Sequence, residues 1–202
     1  MRNLVKQYKK KKDAIRNRIK DFERVKQQPQ ERLFEELCFC ICTPQSKAVL
    51  ADKAVKELKR TKSLFKGNTG CVRKCLRGVR FPNNKARFIR EARNIKLSDI
   101  LKNEDDFAVR EEIVKNVKGI GFKEASHFLR NIGRAKKLAI LDVHILKNLK
   151  QLGVIRDIPK ALSKRAYLDI EKRMTEFSED IRISMRELDI LFWANETGFI
   201  FK

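Results

Sequence analysis

Apolar residues recur at three- and four-residue steps along nearly the whole chain, and this spacing is the feature that most limits its fold. Such steps place apolar side chains on one face of a helix, whereas a half-buried strand needs a sustained alternation that no segment shows. The spacing predicts helices at about 2–26, 31–42, 46–60, 83–94, 105–117, 122–132, 143–151, 160–177 and 184–196. Gly67, Gly70, Gly78 and Pro82 predict a loop-rich stretch between the third and fourth of these helices. We therefore expect an all-α protein.

The chain carries a large excess of positive charge. Its 202 residues include 48 Lys and Arg against 26 Asp and Glu, a net charge of +22 at pH 7. Charge of that size favours a polyanionic partner, either nucleic acid or an anionic membrane. The apolar fraction of 42% argues against disorder, and no apolar run has the length of a membrane span or the position of a signal-peptide core. We expect a cytoplasmic, nucleoid-associated protein, with a ribosome-like basic protein as the alternative.

The five cysteines fall into two groups. Cys38, Cys40 and Cys42 lie in an apolar run, where a free cysteine behaves as a small buried hydrophobe. Cys71 and Cys75 are four residues apart and can share a helix face. In a reducing compartment we expect no disulfide framework. Neither group has the usual spacing of zinc ligands, so we expect no metal there; a zinc site built from both groups is the alternative.

Residues 117–129, Val-Lys-Gly-Ile-Gly-Phe-Lys-Glu-Ala-Ser-His-Phe-Leu, contain the most informative local pattern. Gly119 and Gly121 stand between two predicted helices and allow a hairpin too tight for a side chain. The backbone N–H groups that open the second helix form an anion site suited to a DNA phosphate. The preceding turn could bind a monovalent cation through three backbone carbonyls, those of Lys115, Val117 and Ile120. The pattern predicts a helix-hairpin-helix motif at about 107–131, and an ordinary glycine-rich connector is the alternative.

Two side chains near this motif form a candidate catalytic pair. Asp142 follows an apolar segment and precedes a helical run, so we expect it to be an N-cap whose carboxylate is stabilised by backbone N–H groups and the helix dipole. Lys123 lies in the first turn of its helix, where the same dipole disfavours an ammonium and favours the neutral amine of a nucleophile. A neutral lysine beside an ionised aspartate can attack a sugar C1′ and stabilise the positive charge that develops there.

These residues resemble a known family. Lys-Gly-Ile-Gly-Phe-Lys at 118–123, followed by Asp142 in Leu-Asp-Val-His, resembles the helix-hairpin-helix–GPD superfamily of DNA glycosylases, whose bifunctional members carry a lysine and an aspartate at this spacing. Further segments resemble, more narrowly, the type-2 8-oxoguanine DNA glycosylases of archaea and some bacteria. They are Phe-Glu-Glu-Leu-Cys-Phe-Cys at 34–40, Lys-Glu-Ala-Ser-His-Phe-Leu-Arg-Asn at 123–131 and Leu-Asp-Ile-Leu-Phe-Trp at 188–193. The likeness runs from about residue 20 to Lys202.

The resemblance implies a single two-lobed glycosylase unit over 1–202, with the active-site cleft between its helical lobes. It implies a monomer without cofactor that acts in base excision repair on duplex DNA containing 8-oxoguanine. Lys123 would attack C1′ and form a Schiff base, β-elimination would nick the strand, and Asp142 would stabilise the developing charge. No cysteine follows Cys75, so the C-terminal four-cysteine iron–sulfur cluster of endonuclease III-like relatives is absent and repair of pyrimidines is disfavoured.

The resemblance also implies contacts to the DNA. Phe81 and Trp193 would sandwich the extruded purine, and Gln45 would fill the gap opposite the orphaned base. The Thr-Pro-Gln at 43–45 stands where close relatives are expected to have Thr-Ala-Asn. His144 would donate to a flanking phosphate. Each residue has an ordinary alternative, which is core packing for the aromatics and a solvated helix N-terminus for Gln45 and His144.

Recognition of the lesion is expected to involve the last residues, 198–202. Guanine N7 is an acceptor, whereas in 8-oxoguanine N7 is protonated and donates, so a selective pocket needs an acceptor there. Leaving that acceptor unpaired with guanine costs about 1–3 kcal/mol. The resembling family ends with a lysine at the same distance from its tryptophan. We expect the tail to fold over the pocket and Lys202 to supply the acceptor, with a frayed, solvated terminus as the alternative.

Functions of other classes remain open at this point. A non-catalytic helix-hairpin-helix DNA-binding module would need the hairpin but not Lys123 and Asp142. A basic scaffold protein of RNA or ribosomes would need neither, and a glycosylase for a different damaged base would keep both. Strand nicking separates the first from an enzyme, and a preference among lesions separates the last.

Overall fold

The computed structural model describes residues 2–201, and within them the chain forms eleven α-helices and no strand. In chain order the helices are α1 Arg2–Val25, α2 Gln30–Cys42, α3 Ala48–Arg60, α4 Thr69–Cys75, α5 Pro82–Ala92, α6 Leu97–Leu101, α7 Asp106–Asn116, α8 Phe122–Asn131, α9 Val143–Gln151, α10 Lys164–Asp180 and α11 Met185–Thr197. All nine predicted helices are present, which confirms the all-α fold. Helices α7 and α8 form the predicted helix-hairpin-helix. Within residues 2–201 no helix is long and apolar enough to cross a bilayer.

Two short helices were not predicted. Helix α4 lies in the stretch interpreted as loop, and α6 lies where no element was expected. Both are shorter than the window of about 11 residues in which helical spacing can be recognised. Helix α4 depends on a cap instead, because the Asn68 side chain accepts the N–H of Cys71 at 2.9 Å.

Two helix starts also differ from prediction. Helix α10 begins at Lys164 rather than near 160, because Ser163 is its N-cap and accepts the N–H of Ala166 at 3.2 Å. Helix α3 begins at Ala48 rather than near 46. Gln45 therefore lies in the turn before α3 and is not part of the helix.

The buried apolar side chains form two clusters. The first cluster takes its buried members from one continuous stretch, Leu33 to Leu138, and includes the buried faces of α2 to α8. The second cluster combines α1 with the chain from Ala139 to Phe192. Helix α1 joins it through a stripe of buried side chains at helical spacing, namely Leu4, Tyr8, Ile15, Ile19 and Phe22. The second cluster is therefore assembled from the two ends of the chain.

Buried ion pairs connect the two clusters. The Arg110 guanidinium on α7 binds Glu171 on α10 through two parallel hydrogen bonds of 2.6 and 2.9 Å. Both side chains are almost fully buried, and Glu171 also accepts the N–H of Ala139 at 2.7 Å. Arg130 on α8 forms a second buried pair with Asp189 on α11. These bonds fix α7 and α8 relative to α10 and α11. Each buried charge has an opposite charge beside it, as burial of charge requires.

Four of the five cysteines and His127 are buried, whereas Cys71 is exposed. Cys38, Cys40 and Cys42 are fully buried in α2, and burial raises the pKa of each thiol, that of Cys42 to about 12. All five thiols are free. Within residues 2–201 no group of three or more His, Cys, Asp and Glu side chains is arranged to hold a metal ion. His127 is buried with its ring edge-on to Phe39 at 5.5 Å, which indicates a structural role.

Candidate active site

The hairpin turn between α7 and α8 depends on Gly119. Its φ of +82° lies in the left-handed region, and a Cβ there would come within 2.4 Å of the Phe88 ring. Any other residue would therefore strain the backbone and displace Phe88. Gly119 meets the sequence expectation of a turn too tight for a side chain.

Gly121 has a different role in the turn. Its backbone is extended, with φ −104° and ψ −170°, and a Cβ would meet only a Glu124 carboxylate oxygen at 3.4 Å. The backbone conformation therefore does not require glycine. The missing side chain instead means that Gly121 provides no side-chain cap for the N–H groups of the first turn of α8, which favours close approach of a phosphate.

Lys123 lies in the first turn of α8, and a quarter of its side chain is exposed. Its ammonium is 3.0 Å from Glu124 Oε1. The other Glu124 oxygen accepts the N–H of Gly121 at 3.2 Å. Glu124 thus caps the start of the helix and binds the candidate nucleophile. Sequence reasoning missed this residue, although a glutamate three positions after the N-cap is the spacing of a capping box.

Tyr167 connects the start of α8 to the segment before Asp142. Its ring lies 5.5 Å from the ring of Phe122, the neighbour of Lys123. Its hydroxyl donates to the Ala139 carbonyl at 2.7 Å and accepts the N–H of Leu141 at 3.4 Å. Burial raises the pKa of Tyr167, so the hydroxyl stays a donor. One side chain therefore contacts the chain next to both candidate catalytic residues.

Asp142 is the N-cap of α9, as expected. Its Oδ1 accepts the N–H groups of His144 and Ile145, each at 2.9 Å. The side chain is partly buried. Two N–H bonds and the positive end of the helix dipole stabilise a carboxylate at this position.

Asp189 adds a second carboxylate behind Asp142. It is fully buried on α11, and burial raises its pKa to about 6, with the negative charge of Asp142 adding to the shift and Arg130 opposing it. Asp189 and Asp142 therefore lie within electrostatic reach of each other. In the sequence Asp189 was visible only as part of the segment at 188–193, with no signal of its own for this position.

Gln45 and Phe81 share an unusual backbone conformation. Both have a positive φ, 55° for Gln45 and 54° for Phe81, in the left-handed region that non-glycine residues seldom adopt. Both side chains are exposed, Phe81 to 51%. Phe81 is the N-cap residue of α5, followed by Pro82, and the Arg80 guanidinium lies 5.4 Å from its ring centre. Neither side chain is explained by core packing, the ordinary alternative for Phe81.

Trp193 contacts the tail that follows α11. The helix ends at Thr197, and Gly198, at φ +83°, reverses the chain. The Phe201 ring then stacks on Trp193 at 6.1 Å, and Phe199 meets Trp193 edge-on at 5.2 Å. The expected fold-back of the tail thus occurs as far as Phe201. Lys202, the predicted recognition residue, lies outside the described residues.

Two predicted DNA contacts remain, one at His144 and one in the turn after α7. His144 Nδ1 lies 3.7 Å from a Glu196 carboxylate oxygen on α11, which gives the imidazole an acidic neighbour. In the turn after α7, Val117 is extended and Ile120 is buried. Binding of a monovalent cation by the carbonyls of Lys115, Val117 and Ile120 stays a prediction. The sandwich of Phe81 and Trp193 around the extruded purine likewise stays a prediction.

Comparison with known proteins supplies the decisive observation. A family model described as 8-oxoguanine DNA glycosylase matches residues 15–183. The chain belongs to this family. The 8-oxoguanine DNA glycosylase/AP lyase of Fusobacterium nucleatum is 41% identical over 96% of this chain and 94% of its own length. The 8-oxoguanine DNA glycosylase/AP lyase of Methanocaldococcus jannaschii is 40% identical over 95% and 93%.

Solved structures of the 8-oxoguanine DNA glycosylase family share the fold. The crystal structure of the M. jannaschii 8-oxoguanine glycosylase/lyase in complex with a 15mer DNA containing 8-oxoguanine has a TM-score of 0.92 and 36% identity, covering 100% of both chains. That of the Thermotoga maritima 8-oxoguanine DNA glycosylase has a TM-score of 0.91 and 36% identity, covering 100% of this chain and 97% of its own. The predicted helix-hairpin-helix glycosylase fold is confirmed.

Proposed function

We propose that this chain excises 8-oxoguanine from duplex DNA and then nicks the strand as an AP lyase, with Lys123 as the nucleophile. Its family membership and its named relatives support the activity. The observation that carries the residue assignment is the position of Lys123 in the first turn of α8, joined through Phe122 and Tyr167 to the segment that ends at Asp142. A lysine and a carboxylate in these places can perform both steps.

In the first step the Lys123 amine attacks C1′ of the damaged nucleotide, and the bond from C1′ to the base breaks. The base leaves with the bonding electron pair and takes up a proton. Before it attacks, Lys123 must leave Glu124 and lose a proton; we propose that Asp142 accepts this proton and passes it to the departing base. Asp142 is then ionised again, and its carboxylate stabilises the positive charge on the sugar.

In the second step the C1′–O4′ bond of the adduct breaks, O4′ takes up a proton, and C1′ forms a protonated imine with the Lys123 nitrogen. A proton is removed from C2′, the C3′–O bond breaks, and the 3′ phosphate leaves. Hydrolysis of the imine then releases Lys123. The proposed nucleophile, Lys123, and the proposed acceptor of its proton, Asp142, are both side chains, so we propose that no cofactor takes part.

We propose that the hairpin, a monovalent cation bound to it and His144 hold the DNA backbone. The N–H groups of the first turn of α8, which Gly121 does not cap, would receive a phosphate, with a monovalent cation on the carbonyls of the preceding turn. His144 would donate to a flanking phosphate, after its imidazole turns from Glu196. The net charge of +22 supports a partner of this kind.

We propose that the base slot lies where the two clusters meet. Phe122 and Ile200 pack against the second cluster, while Phe201 packs against the first. Helix α8 and the tail therefore each contact both clusters, and we interpret the junction of the clusters as the cleft between two lobes of a single unit. Phe81, half exposed, and Trp193 would hold the purine.

Two further assignments complete the proposal for DNA. Gln45, exposed in its turn, would fill the gap left by the extruded base. Lys202 would supply the acceptor for N7. The tail is held as far as Phe201, because Arg18 Nε donates to the Phe201 carbonyl at 3.3 Å. The protein would act as a monomer associated with the nucleoid.

The proposal is tested by incubating the protein with duplexes that carry 8-oxoguanine, thymine glycol or uracil, with and without borohydride. We expect excision and nicking of the 8-oxoguanine duplex and a covalent adduct when borohydride reduces the imine. Binding without nicking would instead support a non-catalytic DNA-binding protein. Stronger nicking of the thymine glycol or uracil duplex would show a different substrate.

A further inference from the structure

Lys85 on α5 is a buried lysine that the proposed chemistry does not use. Only 4% of the residue is exposed. Its ammonium donates to the carbonyl oxygens of Cys42 and Pro44, at 2.8 and 2.7 Å, and to the hydroxyl of Ser46 at 3.2 Å. These acceptors match the three protons of an ammonium.

The surroundings of this ammonium are unusual for a buried charge. In residues 2–201 no carboxylate forms an ion pair with Lys85, and burial lowers its pKa. A buried charge without a counter-ion is costly unless other groups stabilise it. Part of that stabilisation comes from the end of α2, where the Cys42 carbonyl belongs to the last turn and the helix dipole is negative. The ammonium fixes the three groups that accept its hydrogen bonds relative to one another.

The acceptors of Lys85 belong to the turn that contains Gln45. Pro44 and Ser46 flank Gln45 on either side, and both bind the ammonium. Gln45 adopts a left-handed backbone conformation, which is unfavourable for a non-glycine residue unless contacts with its neighbours stabilise it. The ammonium ties the residues before and after it to one point, and so supplies that support.

The same group also reaches the turn that contains Phe81. The Ser46 hydroxyl accepts the backbone N–H of Arg80 at 2.9 Å as well as the Lys85 ammonium. The backbone N–H of Lys85 donates to the carbonyl of Phe81 at 3.1 Å. Lys85 and Ser46 therefore connect two exposed turns, each with an exposed side chain at a positive φ.

We propose that Lys85, acting through Ser46, is a positioning residue that holds Gln45 and Phe81 at a fixed separation. Entry of Gln45 into the duplex and closure of Phe81 on the extruded base then occur as one event. This role rests on the proposed function, because it gives Gln45 and Phe81 their parts in holding the DNA open. It concerns base extrusion only and leaves the chemistry of Lys123 unchanged.

The test separates base extrusion from chemistry by comparing two substrates. One duplex carries 8-oxoguanine, and the other carries a pre-formed abasic site, which has no base to extrude or to sandwich. Lys85→Met keeps the length of the side chain and removes the ammonium. We expect excision of 8-oxoguanine to fall by about 10-fold to 10²-fold, the effect of a small misplacement of a positioning group, while nicking of the abasic duplex stays within about twofold. Lys56→Met, at an exposed lysine on α3, is the matched control.

A second variant covers the case in which Lys85→Met does not fold. Ser46→Ala removes the link between the two turns and keeps the bonds from Lys85 to the carbonyls, whereas Ser46→Thr restores the hydroxyl. We expect Ser46→Ala to slow excision selectively and Ser46→Thr to recover it. A 2-aminopurine beside the lesion should report a smaller fluorescence increase on base extrusion with Ser46→Ala than with the wild type.

The outcomes distinguish this proposal from the proposed function. Equal losses on both duplexes would overturn the positioning role and leave Lys85 as a structural residue. No loss on either duplex, from Lys85→Met or from Ser46→Ala, would overturn it as well. A wild-type protein that nicks the abasic duplex but spares 8-oxoguanine would instead contradict the proposed substrate.

Discussion

The two hydrophobic clusters differ in how the chain builds them, and the proposed catalytic pair, Lys123 and Asp142, is divided between them. The first cluster comes from one continuous stretch and includes the buried face of α8, the helix of Lys123. The second cluster joins α1 to the C-terminal helices and includes α9, the helix that Asp142 caps. The relative position of Lys123 and Asp142 in the fold therefore depends on contacts that cross between the clusters. Local sequence patterns put each residue at the start of its helix, and buried long-range bonds orient the helices relative to each other.

The largest effect is expected from breaking the contact between α7 and α10. Arg110→Met leaves Glu171 buried without its partner, and loss of one member of a buried ion pair costs about 3–5 kcal/mol. Urea unfolding should show a fall of that size in the free energy of unfolding. The matched control is Arg173→Met, which removes an exposed pair with Asp169 and should change stability by less than about 0.5 kcal/mol. Equal effects of the two variants would show that the clusters do not depend on this bond.

A substitution of the carboxylate compares one N-cap in each cluster. Asp142→Asn keeps a good cap but loses the charge, so single-turnover excision should slow by about 10²-fold while stability hardly changes. Asp105 caps α7 by accepting the N–H of Phe107 at 2.9 Å. Asp105→Asn should leave excision unchanged. If both variants excise at the wild-type rate, Asp142 is only a helix cap.

The tail is predicted to affect discrimination between bases. It contacts both clusters through Ile200 and Phe201. Deleting Phe201 and Lys202 should weaken the preference for 8-oxoguanine over guanine by about 1–3 kcal/mol, the cost of one unpaired acceptor. Affinity for undamaged DNA, measured by fluorescence anisotropy, should fall much less. Excision at the full-length rate would exclude the tail from recognition.

The smallest effect concerns the buried carboxylate of the second cluster. The pKa of Asp189 is raised from 3.8 to about 6 in the folded protein, so between these values the folded state binds more protons than the unfolded state. Its contribution to stability therefore rises as the pH falls and is lost as the pH rises through about 6. Between about pH 7.5 and pH 5.5 the wild type should gain roughly 1 kcal/mol relative to Asp189→Asn. The control Asp180→Asn, at an exposed position, should show no such difference. If the stability difference between the wild type and Asp189→Asn is the same at both pH values, the pKa of Asp189 is not raised.

The parts predicted from sequence are those that local chemistry determines. Helical spacing predicted nine of the helices, Gly119 predicted the hairpin turn, and the aspartate before an apolar run predicted the N-cap of α9. Each of these depends on residues within a few positions of one another. The family resemblance then supplied the roles of Lys123 and Asp142, which stay predictions here.

The parts that the sequence did not reveal depend on contacts between distant residues. Lys85 contacts the turn of Gln45 across about 40 positions of chain, and Asp189 is buried against Arg130 on another helix. Nothing in the neighbouring residues marks either side chain as special. The left-handed backbone of Gln45 and Phe81 was likewise hidden, because neither residue type favours that conformation.

The central claim is that a lysine from the first cluster attacks the sugar with help from a carboxylate of the second. The most direct measurement is peptide mapping of the complex trapped by borohydride on an 8-oxoguanine duplex. After digestion with protease and nuclease, mass spectrometry should find the reduced sugar adduct on the peptide that contains Lys123, and Lys123→Gln should form no adduct. An adduct on Lys118, Lys85 or any other amine, or full trapping by Lys123→Gln, would contradict the account.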